Sequence, residues 1–307
     1  MLIGFVIASH ESDGKLARLV AALNREYGDP PIAVHHDFGQ AALDAGRFPS
    51  NVRFVRPHVA TGWGRWGTVE GMLRAIDLLY RDRQPDWFFF LSAADYPCRA
   101  GEVVRAELAH ASCDAFADVR PLEPANEPKA TLVGELNPKL SHFASPGNQD
   151  IKWRSYKGRQ FWIPIIRTTP RLRPGKLTWR PRWEAHNPYE HFPCYYGDFW
   201  FGANARVAHL LCNPDEHHLR VQRHLRNRPL VDESYVHTVL VNEPGLVVCR
   251  DNRRFAEWNG GGRSPMNLTL AQVDEILASG AFFARKLGGE SEVTDAIDRK
   301  LEASASR

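Results

Sequence analysis

Residues 86–97 read DWFFFLSAADYP. The six residues 87–92 are almost wholly apolar and too few for a core helix, so they predict a central strand buried on both faces. Upstream, residues 68–80 place Val69, Met72, Leu73, Ile76 and Leu79 on one helical face, with Thr68 available as a cap. Residues 2–8 (LIGFVIA) predict the opening strand. Residues 13–26 predict a helix through Leu16, Leu19, Val20 and Leu23, capped by Ser12 or Asp13. Short strands follow at 31–35 and 52–56. Downstream, residues 101–110 read as a helix and 113–119 as a strand. Strands alternating with helices imply an α/β fold with a mostly parallel central sheet flanked by helices. Ligands of such sheets bind beyond the carboxyl ends of the strands. The residues there are Ser9 and His10, His36 and Asp37, and 92–97.

The chain of 307 residues, 43% hydrophobic, is long enough for a sizeable core. Its net charge of +3 does not make nucleic acid the default partner. Cys98, Cys113, Cys194, Cys212 and Cys249 are odd in number and scattered without a CxxC pair, which predicts buried free thiols in a reducing compartment. The apolar run after Met1 is too short to span a bilayer and lacks a basic leader. The expected location is the cytoplasm, with attachment at a membrane surface as the variant.

Residues 121–195 break the alternation. Within 151–185 ten Lys or Arg face one acid, Glu184, and are interleaved with Trp153, Tyr156, Phe161, Trp162, Trp179 and Trp183. Regular structure is expected again from 196: a strand and helix over 199–212, a helix over 233–241 opened by Asp232 and Glu233, a helix over 269–279 capped by Thr269, and a last helix over 292–303. One domain over 1–307 is expected, with an irregular basic and aromatic insertion (121–195) between two regular halves, 1–120 and 196–307.

No GxGxxG follows the first strand, and the chain has no P-loop, no HExxH and no Asp-x-Asp. WGRWGTVEGMLRAIDLL (63–79) followed by DWFFFLSAADYP (86–97) resembles the core-2/I-branching N-acetylglucosaminyltransferases, glycosyltransferase family 14. FVIASH (5–10), VHHD (34–37), VDESYVHT (231–238) and FFARK (282–286) agree with further blocks of that family, in order. The chain departs from the pattern at Ala93–Ala94, where a Gly is usual, at Val231 for Pro, and at Leu287 for Phe. It also lacks the paired cysteines and membrane anchor of Golgi members, which suggests a bacterial-type cytosolic member and leaves the acceptor open.

The resemblance implies a GT-A-like nucleotide-sugar-binding fold and inverting, metal-independent transfer from a UDP-sugar to a glycan or glycolipid hydroxyl, with no cofactor. N-acetylglucosamine is the expected sugar, and xylosyl or glucuronosyl transfer is the alternative within the family. Glu233 maps onto the catalytic base, since an acceptor hydroxyl must lose its proton as it attacks; a helix-capping role is the plain alternative. Arg263 and Lys286 map onto cations that receive the departing diphosphate. His10, Asp37, Trp66 and Asp95 are the other donor-site candidates, Asp37 for the nucleoside and Asp95 for bracing the turn or touching the sugar. Trp200, Trp258 and Asp232 are the acceptor-site candidates. Core packing competes for Trp66, Trp200 and Trp258, and Arg285 reads as a surface charge.

The rivals are a nucleic-acid binder built on 151–185 and a catalytically dead sensor of nucleotide sugars or glycans. The first leaves the ordered motifs unexplained, and the retained Glu233 argues against the second. The basic stretch is better suited to an anionic or lipid-linked acceptor, or to the membrane surface.

Overall fold

The computed structural model describes residues 1–11, 13–122, 156, 193–258, 264–288 and 291–305. A seven-stranded sheet forms its centre, in the order β10-β6-β9-β4-β1-β2-β3. Its strands are β1 (Ile3–Ser9), β2 (Ile32–His36), β3 (Val52–Phe54), β4 (Trp87–Ser92), β6 (Ala115–Ala117), β9 (Phe201–Asn204) and β10 (Val248–Cys249). All neighbouring pairs are parallel except those of β9, which runs antiparallel to both β4 and β6. Two reversals cancel, so β6 points the same way as β4, β1 and β2.

The period-2 geometry of β4 explains its sequence. Phe88 and Phe90 enter one core with α2 (Trp66–Arg83), while Trp87, Phe89 and Leu91 enter the opposite core with α1 (Asp13–Tyr27) and α3 (Gly101–Ala109). Both faces are covered, so every position must be apolar. Where β9 crosses, Gly202 makes room: a Cβ there would lie 2.3 Å from the Phe89 ring.

A small sheet of β11 (Arg254–Ala256), β12 (Phe283–Arg285) and β5 (Tyr96–Pro97) lies beyond β4. Phe283 pairs with Pro97 and Ala284 with Tyr96, so the DYP and FFARK blocks become neighbours. β7 (Arg120–Pro121) pairs with β8 (Tyr195–Tyr196). The remaining helices are α4 (Ala205–Cys212), α5 (Glu216–Leu225), α6 (Tyr235–Asn242), α7 (Val273–Ala278) and α8 (Ser291–Ala305). Val293, Ile297 and Leu301 of α8 close a third core over the small sheet.

Four expectations need correction or completion. Thr68 is not the residue that precedes α2; it lies inside the first turn, and its hydroxyl donates back to the Gly62 carbonyl at 2.8 Å. Helix α5 was not expected. Its buried face is His218, Val221, His224 and Leu225, so two histidines hide the apolar period. Ser12, one of the two caps considered for α1, lies outside the described residues.

The expectation of free thiols fails for two cysteines. Cys113 and Cys249 form a disulfide across 136 residues, because parallel pairing of β10 with β6 sets Cys249 beside Phe116. Spacing along a chain cannot reveal a pairing that sheet order creates. Cys98 and Cys194 are buried thiols, and Cys212 is a partly buried one. Among the described residues no helix is long and apolar enough to cross a membrane.

Candidate active site

The shared direction of β6, β4, β1 and β2 puts four connections at one edge of the sheet. From one side to the other these are Asp118 after β6, Ser92–Asp95 after β4, His10 after β1 and Asp37 after β2. Because β9 is antiparallel, the segment entering it, Asp198–Trp200, reaches the same edge. The candidate residues therefore converge for a topological reason.

At the β2 end, Asp37 is 1% exposed. Its carboxylate accepts from Gly39 N (3.0 Å), Gln40 Nε2 (2.7 Å), Thr61 N (2.6 Å) and Thr61 Oγ1 (2.9 Å). Burial raises its pKa, but these bonds outweigh it and hold the carboxyl well below the ordinary range. Asp37 is thus spent on the chain: it pins a strap, residues 57–65, that leads into α2. His35 pins the same strap, accepting from Val59 N at 3.1 Å, and burial pushes its imidazole down to about 4, so it is a neutral acceptor.

The strap ends on the acidic block. Gly64 N donates to Asp232 Oδ2 (3.3 Å), and Val231 N donates back to the Gly64 carbonyl (3.4 Å). Val231–Glu233 form one 3-10 turn, entered through Leu230 at φ 59. The Glu233 carbonyl accepts from Gly197 N at 2.9 Å, which anchors the turn beside β8. Tyr156, the one described residue of the basic stretch 151–185, donates its hydroxyl to the Leu230 carbonyl at 2.6 Å. Asp232 is buried and Glu233 partly buried. Burial, with the charge of Glu233 beside it, pushes the Asp232 carboxyl up to about 7.

Between these two ends lies a buried array of charges. Asp95 accepts from Ser92 N (2.5 Å) and Ser92 Oγ (2.7 Å), bracing its own turn. It also faces Arg254 Nε at 3.4 Å and Arg285 Nη1 at 3.3 Å. Arg254 further donates to the Phe90 carbonyl (2.5 Å), and the Arg285 guanidinium lies 4.4 Å from the Trp200 ring centre. Asp198 accepts from Asn252 Nδ2 at 3.1 Å; desolvation pushes its carboxyl to about 6 although Arg285 and Arg254 pull it down. Lys286 follows directly, partly exposed. Its backbone pairs with Met266 and Leu268, and the next residue, Leu287, donates to the Ala94 carbonyl (2.9 Å). Lys286 therefore stands beside the turn that follows β4, near enough to Glu11, after β1, for its charge to be felt there.

The other candidates are placed as follows. His10 is exposed at the end of β1. Trp66 is buried in the core, edge-on to Tyr235 at 5.2 Å. Trp200 packs against Phe90 at 4.9 Å as well as Arg285. Trp258 is partly buried after β11. Arg263 and the rest of 151–185 lie outside the described residues. Arg285 is not the surface charge expected but 8% exposed. Arg254 and Asp198 carried no signal in the sequence, since nothing near them marks a charge as buried. Among the described residues no group of three or more His, Cys, Asp or Glu is placed to hold a metal ion.

Acidic and basic groups thus gather at the carboxyl edge of an α/β sheet, the edge at which such sheets bind ligands. The model of the Core-2/I-Branching enzyme family matches residues 3–278, and the chain belongs to that family of glycosyltransferases. It is 25% identical over 239 residues to the beta-glucuronosyltransferase GlcAT14A of Arabidopsis thaliana, covering 76% of this chain and 46% of the relative. It is 25% identical over 321 residues to the beta-glucuronosyltransferase GlcAT14B of the same plant, covering 97% of this chain and 66% of the relative. The chain thus spans about half to two thirds of the length of these curated relatives.

Proposed function

We propose that the chain transfers a sugar from a UDP-sugar to a glycan or glycolipid hydroxyl, with inversion and without a metal. The observation that carries this is a meeting at one sheet edge: the strap pinned by Asp37 is bonded to the turn that carries Glu233, and Lys286 stands at the β4 end of the same edge. A nucleoside diphosphate and a reacting hydroxyl need an acid and a cation at one site.

In the step itself Glu233 takes the proton of the acceptor hydroxyl as its oxygen attacks the anomeric carbon. The bond from that carbon to the β-phosphate oxygen breaks, and UDP leaves with its electron pair. Lys286, with Arg263, meets the growing charge as fixed cations. One displacement inverts the carbon, and the proton ends on Glu233. The acid after β4, Asp95, is committed to Arg254 and Arg285, so it acts by holding Arg285 beside Lys286. Asp37 acts by holding the strap, with His10 at the neighbouring strand end. Trp258 serves the acceptor better than Trp200, whose ring already packs against Arg285 and Phe90.

The names of the two plant relatives favour a glucuronosyl donor over the N-acetylglucosaminyl one expected from the motifs. Calorimetric titration with UDP, UDP-glucuronic acid, UDP-N-acetylglucosamine and UDP-xylose, with and without EDTA, tests both points. Binding of UDP that ignores EDTA supports the proposal, and the tightest sugar names the donor. Loss of binding in EDTA rejects the metal-free step. No binding of any uridine nucleotide rejects the donor class.

A further inference from the structure

We infer that Trp63 is a stacking platform for the acceptor sugar, a role that rests on Glu233 being the base. Trp63 is 68% exposed, whereas Trp66, three residues on, is 6% exposed. The segment can bury an indole, yet it presents this one to solvent. An indole so presented offers a flat apolar face with an N–H at its edge, a surface that a ligand with both apolar and polar groups can cover.

The presentation is built rather than loose. Gly62–Arg65 form a β-turn closed by Arg65 N donating to the Gly62 carbonyl at 3.0 Å, with Gly64 at φ +67. Trp63 is therefore the first of the two central residues, whose side chain points out from the turn. Both flanks are tied. Thr61 is held by Asp37, Gly62 by Thr68, and Gly64 by Asp232 and Val231. A backbone so fixed needs no reordering when a ligand packs on the ring it carries.

Position selects the acceptor rather than the nucleobase. The strap runs from the β2 end to the acidic turn, and Trp63 adjoins Gly64, the residue in contact with that turn. The β2 end has rings of its own: Phe38 packs on His36 (4.6 Å) and His58 (5.6 Å). The open face of an indole suits the C–H face of a pyranose, and an acceptor must lie open to admit the rest of its glycan.

The test follows the indole N–H of Trp63 by NMR, assigned with Trp63→Phe, during titration with the methyl β-glycosides of galactose, glucose and xylose and, separately, with UDP. The expected result is a shift with at least one glycoside and none with UDP. A shift with UDP alone, or with no probe, overturns the inference. Kinetics give a second readout with the donor that calorimetry names and the glycoside that moves the signal. Trp63→Ala should raise the acceptor KM about tenfold and leave donor hydrolysis without acceptor unchanged, and Trp63→Phe should recover most of the loss. An unchanged KM overturns the inference. Glu233→Gln separates the two claims: full activity there removes the base while the glycoside shift of Trp63 stands.

Discussion

The carboxylate of Asp95 lies 3.3 Å from the guanidinium of Arg285, and both groups are buried. This contact joins two sequence blocks 190 residues apart and fixes the strand that Lys286 follows. Arg254 is the second cation on the same carboxylate. Removing Asp95 takes the ion-pair partner from two buried cations and leaves them only the buried carboxyl of Asp198, which costs up to about 3–5 kcal/mol. Asp95→Ala should therefore lower the urea midpoint of unfolding sharply. A variant as stable as the wild type would show that the array contributes nothing to holding β12 in place.

Lys286 is partly exposed and follows the array, so its truncation should leave the fold intact. A charge-assisted bond to a diphosphate is worth roughly 1.5–3 kcal/mol. Lys286→Ala should weaken UDP binding by about tenfold or more, measured by calorimetry. Unchanged affinity would remove Lys286 from the donor site.

Gly64 is a demanding position in the strap. Its φ is +67, and a Cβ would lie 3.0 Å from the Leu230 backbone nitrogen. Gly64→Ala should destabilise by roughly 1–2 kcal/mol through the left-handed backbone alone, and it should displace the Glu233 turn. The expected outcome is a drop in turnover larger than the drop in melting temperature explains. Wild-type activity would show that the strap does not position the turn.

Asp232 gives a pH signature with a definite sign. Its carboxyl is raised from 3.8 to about 7 in the fold, first by burial and then by Glu233. Between those values the folded chain holds a proton that the unfolded chain has released, so this group's contribution to stability falls as pH rises and is fully lost above about 7. Asn cannot ionise. The melting temperature of Asp232→Asn relative to wild type should therefore rise from about pH 4 to about pH 7 and level off beyond. An offset independent of pH would show that Asp232 is ionised throughout.

The layers of the fold were legible because they follow from periodicity. Leu16, Leu19, Val20 and Leu23 declare one face of α1, and the unbroken run 87–92 declares a strand covered on both sides. The meeting of the motif blocks was legible only through resemblance, since strand order is not written in local patterns. Three features stayed hidden for physical reasons. Buried charges such as Arg285 and Arg254 look like surface charges until their partners are known. The Cys113–Cys249 bridge depends on which strands are neighbours. Two of the four bonds on Asp37 come from Thr61, 24 residues further on, so the strap that it pins could not be read from the block around residue 37.

The most direct test of the account is UDP release from the donor in the presence of acceptor and EDTA, compared between wild type and Glu233→Gln. Loss of a general base costs on the order of 100- to 10,000-fold in rate. The account predicts a fall of that size in turnover at unchanged UDP affinity. Turnover in Glu233→Gln equal to wild type would contradict it, because no proton acceptor would then be needed at that turn.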